Sequence, residues 1–306
     1  MEDYPRTLLE FAERFATEDA CVQYLFKLRW PEGFRCPRCG HHKAWLTKRG
    51  LYRCVHCDLQ TSVMAGTIFQ DTKKPLRLWF WAIWHLTTQK YGANALGMKR
   101  VLDLGNYQSA WTMLHKLRRA MVRPGRDRLS GIVQADEIYI GGEKPGKRGR
   151  GAAGKALVVV MVELKEGKIG RIRLRRVPDA SGPSLEGAVK EGVEPGSTVE
   201  TDGWGGYEGL SGLGYRHEVM RKEAAVGENV LPKVNKVVSL IKRWLLGTYQ
   251  GRVESSHLDY YLDEYTFRFN RRTSRSRGKL FYRLVQQAAA IEPVLGKDIH
   301  GGVTTP

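Results

Sequence analysis

The chain has no long hydrophobic run, few cysteines and no recognisable leader segment. Its most apolar stretch, LRLWFWAIWHL at residues 76–86, contains an arginine and a histidine and is about half as long as a bilayer span, so it predicts a buried helix. The segment MEDYPRTLLEFAERF lacks the basic and apolar regions of a signal peptide, which predicts a cytoplasmic protein without a membrane partner. Five cysteines in 306 residues exclude a disulfide scaffold.

Acidic residues are too few to balance the basic ones. The chain has 50 Lys and Arg against 32 Asp and Glu, a formal net charge of +18, and the excess is spread along the sequence. Cations that neutralise phosphates release condensed counterions, so a nucleic acid is the expected partner, with an ordinary basic surface as the alternative. The hydrophobic fraction of 42% can fill globular cores, and the length allows two domains or one with appendages.

Four of the five cysteines form two CxxC pairs. Cys36 and Cys39 are separated from Cys54 and Cys57 by fourteen residues, among short β-like segments and glycines. Each tight turn presents two thiolates, and tetrahedral structural zinc takes four. We therefore predict a zinc ribbon at residues 31–65, with a redox pair of CxxC motifs as the alternative. Basic residues between the pairs would give the ribbon a basic face: Lys43, Lys48, Arg49 and Arg53.

Hydrophobic periodicity divides the rest of the chain. Residues 1–30 predict a helical lead-in, and residues 66–125 predict three helices, the last beginning with Ser109 as its N-cap. This helical region fits either a helix-turn-helix-like DNA-binding unit or plain helical packing. From residue 126 three β-rich segments predict a meander, and the segment STVET predicts a fourth strand. Helices follow at residues 233–246 and 256–270, and residues 291–306 form a tail.

Two aspartates are candidates for phosphoryl-transfer chemistry. Asp136 interrupts an apolar strand, where a lone charge is costly unless it binds a cation or forms an ion pair. Neighbouring strand residues face opposite sides, so Asp136 and Glu137 cannot share a site, and we favour Asp136. Asp202 ends the fourth predicted strand, although it could also serve a turn. Aspartates on neighbouring strands can hold two Mg²⁺ ions that activate one oxygen and stabilise another.

These motifs resemble those of a known family. In order along nearly the whole chain, the segments CPRCG with CVHCD, VQADEIYIGGEKPG, VETDGWGGY, VNKVVSLIKRWLLGTYQGRV and YLDEYTFRFNRR are similar to the ISXO2-like group of the IS1595 family of bacterial insertion-sequence transposases. The resemblance implies a ribonuclease-H-like mixed sheet flanked by helices at residues 126–290. It also implies a DDE-type two-metal mechanism, binding to terminal inverted repeats in the bacterial nucleoid, and metal-ligand roles for Asp136 and Asp202.

The third metal position departs from the common pattern. Related transposases have a glutamate on a helix there, and the matching residue in this chain is Asn235, which some members of the family share. An amide oxygen can ligate Mg²⁺, but it is neutral and holds the ion more weakly. Lys242 lies seven residues later, on the same helical face, and would contact the DNA phosphate unless it is simply one more exposed lysine. Glu228 and Glu254 are fallback acids without the expected spacing.

Two basic segments complete the predicted DNA-binding surface. A glycine-rich loop at residues 143–155 follows the first catalytic strand, and an arginine-rich segment with interleaved phenylalanines begins near residue 268. The residues expected to position DNA are Lys147, Arg148, Arg150, Arg243, Arg271, Arg272, Arg275 and Arg277. The sequence thus predicts a DNA transposase that needs structural Zn²⁺ and two Mg²⁺ or Mn²⁺ ions, acting as a homodimer or larger assembly on duplex DNA. A catalytically impaired DNA-binding protein and a nuclease without strand transfer are the alternatives.

Overall fold

The computed structural model describes residues 2–123, 125–141, 155–220, 229–251 and 253–300. The described residues divide into two compact units, one combining residues 2–123 with 274–300 and the other formed by the described residues between 125 and 273. Helices and two separate sheets give the mixed α/β architecture that the sequence predicts. Within the described residues, no helix is both long and apolar enough to cross a membrane.

Helices and strands are numbered in chain order. The α-helices are α1 (Leu8–Arg14), α2 (Glu18–Arg29), α3 (Leu76–Thr88), α4 (Ala95–Val101), α5 (Tyr107–Ala120), α6 (Gly182–Gly192), α7 (Pro232–Tyr249), α8 (Leu258–Phe269), α9 (Arg277–Ala290) and α10 (Gly296–His300). The strands are β1 (Ala44–Leu46), β2 (Tyr52–Cys54), β3 (Gln60–Thr61), β4 (Ile132–Ile140), β5 (Ala156–Lys165), β6 (Lys168–Val177), β7 (Thr198–Thr201) and β8 (Arg216–Val219). Short 3₁₀ helices cover Gly205–Leu213 and Ser255–His257.

An aromatic core organises the first unit. The ring of Phe281 in α9 has its centroid 5.2 Å from that of Phe11, 5.5 Å from that of Phe15, 5.6 Å from that of Phe80 and 5.8 Å from that of Trp84. The apolar stretch at residues 76–86 becomes α3, a buried helix, as predicted. Helix α9 belongs to this unit although its sequence lies within the range 126–290. Its apolar face finds partners far away in the sequence, which periodicity alone does not identify.

The three helices predicted between residues 66 and 125 are present, but the start of the last one was predicted wrongly. Asn106 caps α5, because its side-chain oxygen accepts the backbone N–H of Ser109 at 2.7 Å. Ser109 is therefore a residue of the first helical turn and not the N-cap. Asparagine and serine are both good caps, so the local sequence does not decide between two positions three residues apart.

The second unit is built on a five-stranded mixed sheet in the order β6-β5-β4-β7-β8. Strands β4, β5 and β6 form the predicted antiparallel meander, and β7 is the predicted fourth strand, parallel to β4. Strand β8, parallel to β7, was not predicted, because its sequence RHEV has a single apolar residue. Helix α6 connects β6 to β7 and lets the chain return in the direction of β4.

Helical layers cover both faces of this sheet. Residues of α7 and α8 pack against alternate residues of β4 and β5, including Ile138, Val158 and Val160. Residues of α6 and of the Gly205–Leu213 helix pack against the intervening residues, such as Val133 and Val159. Both faces of β5 are buried, which explains its nearly continuous apolar sequence. Side-chain alternation along β4 therefore decides which helical layer each residue meets.

Candidate zinc centre and candidate metal-dependent site

The four paired cysteines lie on two turns of the same geometry. The N–H of Cys36 donates to the His41 carbonyl at 2.9 Å, and the N–H of Cys54 donates to the Leu59 carbonyl at 2.9 Å, each spanning five residues. The residue after the first CxxC pair is Gly40 and the residue after the second is Asp58, and both have positive φ. Glycine adopts this backbone conformation freely, and aspartate tolerates it better than most residues. The repeated turn aims two thiols from each pair at one point between them.

The distances between the sulfur atoms fit a four-thiolate zinc site. The Sγ atoms of Cys36 and Cys57 are 3.6 Å apart, as are those of Cys39 and Cys54, and all four lie within 4.8 Å of one another. Tetrahedral zinc with sulfur ligands at about 2.3 Å requires sulfur separations of about 3.8 Å, whereas a disulfide requires about 2.05 Å. Among the residues that the structure describes, this is the one group of three or more Cys, His, Asp or Glu side chains placed to share an ion.

The electrostatics of the first turn differ between its two thiols. Burial opposes ionisation of Cys36, but the backbone N–H groups of Cys39 and Arg38 and the neighbouring thiols lower the pKa of Cys36 to about 6. The N–H of His41 lowers the pKa of Cys39, but burial and the neighbouring thiols raise it to about 12. Cys21 lies outside this cluster and is buried, and burial raises the pKa of its thiol to about 12. The fifth cysteine is therefore a protonated core residue.

The second candidate site lies where β4 and β7 run side by side. In their parallel pairing Gln134 is opposite Glu200. Asp136 lies two residues after Gln134, and Asp202 lies two residues after Glu200. Asp202 directly follows the end of β7, and its carboxylate accepts the Trp204 N–H at 3.0 Å. Both aspartates are half-buried. The parallel pairing thus brings two carboxylates that are far apart in the sequence to the same end of neighbouring strands, and the charges of both act on Tyr207.

Asp136 and Glu137 point to different faces of the sheet. Asp136 is paired with Val160 of β5, and Val160 is buried in the core that contains Val234 of α7. Glu137 is paired with Val159, which is buried in the core of the opposite face. Directly paired residues point to the same side, so Asp136 shares its face with α7 and Glu137 does not.

Glu137 has a partner that the sequence did not suggest. The hydroxyl of Tyr207, a fully buried residue, donates to Glu137 Oε2 at 3.3 Å. Burial, followed by the charges of Glu137, Asp136 and Asp202, raises the pKa of Tyr207 well above its ordinary value. The phenol therefore stays protonated and remains a hydrogen-bond donor. A tyrosine five residues after an aspartate gives no sequence signal for such a contact.

Helix α7 carries the other two predicted site residues on its exposed side. Asn235 lies in the first turn, and its Nδ2 donates to Asn229 Oδ1 at 2.6 Å. Lys242 lies about 10 Å further along the helix on the same side, at the rise of about 1.5 Å per residue. Both residues are exposed, while Val234, Val237 and Ile241 face the core. Glu254, one of the two fallback acids, is exposed after α7, and Glu228 lies outside the described residues.

Two of the predicted DNA-contacting arginines also have partners within the protein. The Arg271 guanidinium lies 4.0 Å from the centroid of the Phe267 ring and donates to the Phe267 carbonyl at 3.1 Å. Arg272 donates to the carbonyls of Gly170, at 3.0 Å, and Ile169. Burial lowers the pKa of Arg272. Arg272 thus fastens the end of α8 to the start of β6, a structural use of its charge.

The remaining predicted contacts fall into two groups. Arg243, Arg275 and Arg277 are exposed. Lys147, Arg148 and Arg150 lie outside the described residues.

Comparisons with known proteins match the two regions of the chain that contain the candidate sites. Residues 16–60 match the transposase zinc-ribbon domain, and residues 128–270 match the ISXO2-like transposase domain. An uncharacterized protein in transposable element ISH50 of Halobacterium salinarum is 25% identical over 302 residues, covering 90% of this chain and 98% of that protein. The ribbon match and the sulfur geometry together support structural zinc. The chain is therefore similar to transposases of the IS1595 family, with a match to their zinc-ribbon domain ahead of a match to the ISXO2-like transposase domain.

Proposed function

We propose that this protein is a DNA transposase that binds the terminal inverted repeats of an insertion sequence and catalyses metal-dependent strand cleavage and strand transfer. The observation that carries the proposal is that the parallel pairing of β4 and β7 brings Asp136 and Asp202 to the same end of neighbouring strands, each two residues after the Gln134–Glu200 pair. The match of residues 128–270 to the ISXO2-like transposase domain supports the same reaction class. Of the range 126–290, residues 126–273 are assigned to the catalytic domain, because α9 belongs to the first unit, and they follow the ribbon at 31–65 and the helical region at 66–125 in the sequence.

The proposed catalytic domain has a ribonuclease-H-like fold. Its support is the strand order β6-β5-β4-β7-β8, in which a three-stranded meander is extended by two strands parallel to β4. Helices on both faces complete a three-layer arrangement. In such a sheet, the carboxyl ends of neighbouring parallel strands are where a substrate crevice opens. Asp202 stands at such an end.

Asp136, Asp202 and Asn235 are the proposed ligands of two Mg²⁺ or Mn²⁺ ions. The residues fit the ions, because carboxylate and amide oxygens are their preferred protein ligands and Asp136 shares its face with the helix that carries Asn235. When bound, the ions supply activation of the attacking water or 3′-hydroxyl and stabilisation of the leaving oxygen. Lys242 is the proposed ligand of the DNA phosphate through its ammonium group. It lies about two helical turns after Asn235, on the same side of α7.

The ribbon offers a DNA-binding face on the outer side of its small sheet. Trp45 of β1 is paired with Arg53 of β2, whose guanidinium lies 5.9 Å from the centroid of the indole, and Trp45 is 54% exposed. Lys43 and Val55 extend the same face, joined by a backbone hydrogen bond of 3.1 Å. Cations beside an exposed aromatic ring suit a nucleic acid, because phosphates and bases can be contacted together.

The exposed arginines Arg243, Arg275 and Arg277 and the basic loop at residues 143–155 are assigned to the DNA backbone. Because the reaction joins two element ends, the active form is a homodimer or larger assembly on duplex DNA.

The test is cleavage and strand transfer on a duplex that carries an element end, with Mg²⁺ or Mn²⁺. Asp136→Asn and Asp202→Asn should each abolish both products while DNA binding is retained. The matched control is Glu208→Gln, which neutralises an exposed carboxylate in the neighbouring 3₁₀ helix. Asn235→Ala should keep the products but require more metal, because a neutral ligand is lost.

Each alternative has its own outcome. Full activity of Asp136→Asn or Asp202→Asn would overturn the mechanism. Cleavage without joined products would identify a nuclease. Specific DNA binding without cleavage by the unaltered protein would identify a catalytically impaired DNA-binding protein. The loss of catalysis would then be attributed to Asn235, which stands where related transposases have a glutamate.

A further inference from the structure

Helix α7 begins without a polar residue that could cap it. Leu231 occupies the cap position and has no polar side-chain atom, and Pro232, the first helical residue, has no backbone N–H. The first intrahelical bond is donated by the Asn235 N–H to the Leu231 carbonyl, at 3.0 Å. The N–H groups of Lys233 and Val234 therefore need acceptors from outside the helix.

Gln134 of β4 supplies the missing acceptor. Its Oε1 accepts the N–H of Lys233 at 3.2 Å and the N–H of Val234 at 3.4 Å, as an N-cap side chain would. Its Nε2 donates to Glu200 Oε2 at 2.9 Å. A single amide thus joins β4, β7 and α7, and Gln134 is only 5% exposed.

The chemistry of the three partners fixes how this amide is turned. The two helix N–H groups can only donate, so the oxygen must face α7. The Glu200 carboxylate can accept from the NH₂ group, which must therefore face β7. Reversing the amide would break all three hydrogen bonds at a buried position, which is costly.

The three joined elements are those that carry the proposed metal ligands. Asp136 lies two residues after Gln134 on the same face of β4, Asp202 lies two residues after Glu200, and Asn235 directly follows Val234. Within the described part of the chain, Glu200 does not form an ion-sharing cluster with the two aspartates. Its carboxylate instead accepts the hydrogen bond from the Gln134 amide.

We propose that Gln134 is a positioning residue that sets the distance of Asn235 from Asp136 and Asp202, using Glu200 as its anchor. This inference rests on the proposed function for the ligands, but the contacts of Gln134 are independent of it. Residues that orient metal ligands without touching the metal commonly change metal affinity by about 10- to 100-fold when altered.

The experiment exchanges the amide of Gln134 and the carboxylate of Glu200, first one at a time and then together. Gln134→Glu keeps an acceptor for α7 but sets its charge against that of Glu200, so the Mn²⁺ concentration for half-maximal cleavage should rise by about tenfold. Glu200→Gln keeps an acceptor for the Gln134 amide and should behave nearly as the unaltered protein. The double variant, Gln134→Glu with Glu200→Gln, restores every hydrogen bond, because the amide introduced in β7 donates to the carboxylate introduced in β4. It should return the metal requirement to within about threefold of the original.

Hydrogen exchange gives a readout that does not depend on activity. Gln134→Met removes the acceptor at similar volume, so the amides of Lys233 and Val234 should exchange about fivefold faster or more, while those in the middle of α7 keep their protection. Gln134→Glu should keep the protection at these two amides.

The inference is overturned if Gln134→Met leaves exchange at these two amides unchanged, or if the double variant is no better than Gln134→Glu in its metal requirement. A lack of cleavage by the unaltered protein would instead count against the proposed function, while the exchange result would still decide whether Gln134 positions α7. Thermal unfolding of each variant separates a local shift from general destabilisation.

Discussion

Replacing Trp45 by alanine should weaken DNA binding by the ribbon more than any other change of an apolar surface residue in that domain. Trp45 is 54% exposed, an unusual position for so large an apolar side chain, and it stands beside Arg53. Leu46, the next residue, is 62% exposed but points to the opposite side, where its partner Tyr52 packs against the aromatic ring of Phe34. Leu46→Ala is therefore the matched control.

The expected magnitude follows from the contact that Trp45 can make. Burial of the exposed part of the indole against the DNA surface contributes about 1–3 kcal/mol, so Trp45→Ala should raise Kd by about 5- to 150-fold. The indole is uncharged, so the slope of log K against log salt concentration should stay the same. Lys43→Ala should instead reduce that slope by about one and weaken binding to all duplexes alike.

The assay is fluorescence anisotropy with a labelled element-end duplex, at one fixed salt concentration and then over a salt series. Zinc content and thermal unfolding of the variants should match those of the unaltered protein, since the changed side chains lie away from the cysteines. Equal Kd values for Trp45→Ala and Leu46→Ala would refute the assignment of this face. A changed salt slope for Trp45→Ala would show that its effect is electrostatic and therefore indirect.

Three further predictions concern zinc, alkaline stability and α7. Cys54→Ser should lose one equivalent of zinc by metal analysis, together with the fold of the ribbon, whereas Cys21→Ser should keep the zinc. Above about pH 10 the unfolded chain releases a tyrosine proton that folded Tyr207 retains, so stability falls as pH rises, and Tyr207→Phe should lessen this fall by up to about 1.4 kcal/mol per pH unit in denaturant titrations. Lys242→Ala should slow cleavage more than Lys236→Ala, and equal rates would remove Lys242 from the site.

Elements defined by local chemistry could be predicted from the sequence. The cysteine spacing is enough to predict the ribbon, because each turn and its two ligands lie within a few residues. The meander and α7 are likewise found where the apolar pattern places them. Features that depend on distant partners were missed. Strand β8 is too short and polar to be recognised, and the contact of Tyr207 with Glu137 joins residues seventy positions apart.

The N-termini of the helices also divide into those capped by a residue nearby in the sequence and those capped by a distant one. Where a cap is local, as with Asn106 at α5, the sequence narrows the start to a few residues. Helix α3 begins after Pro75, and its first N–H groups are instead accepted by the carboxylate of Glu18, at 2.6 and 2.9 Å. Helix α7 is capped in the same indirect way, by Gln134. Nothing near Pro75 or Leu231 in the sequence identifies these acceptors.

The sequence by itself determined the four zinc ligands, the apolar strands and the family motifs, because each depends on residue types at short, fixed spacing. Only the tertiary structure decided that Asp136 and Asp202 lie at the same end of neighbouring strands, since that depends on the parallel pairing of two strands 66 residues apart. It also decided that Asp136, and not Glu137, faces α7, because the side of a strand that meets a helix is set by packing across the whole sheet.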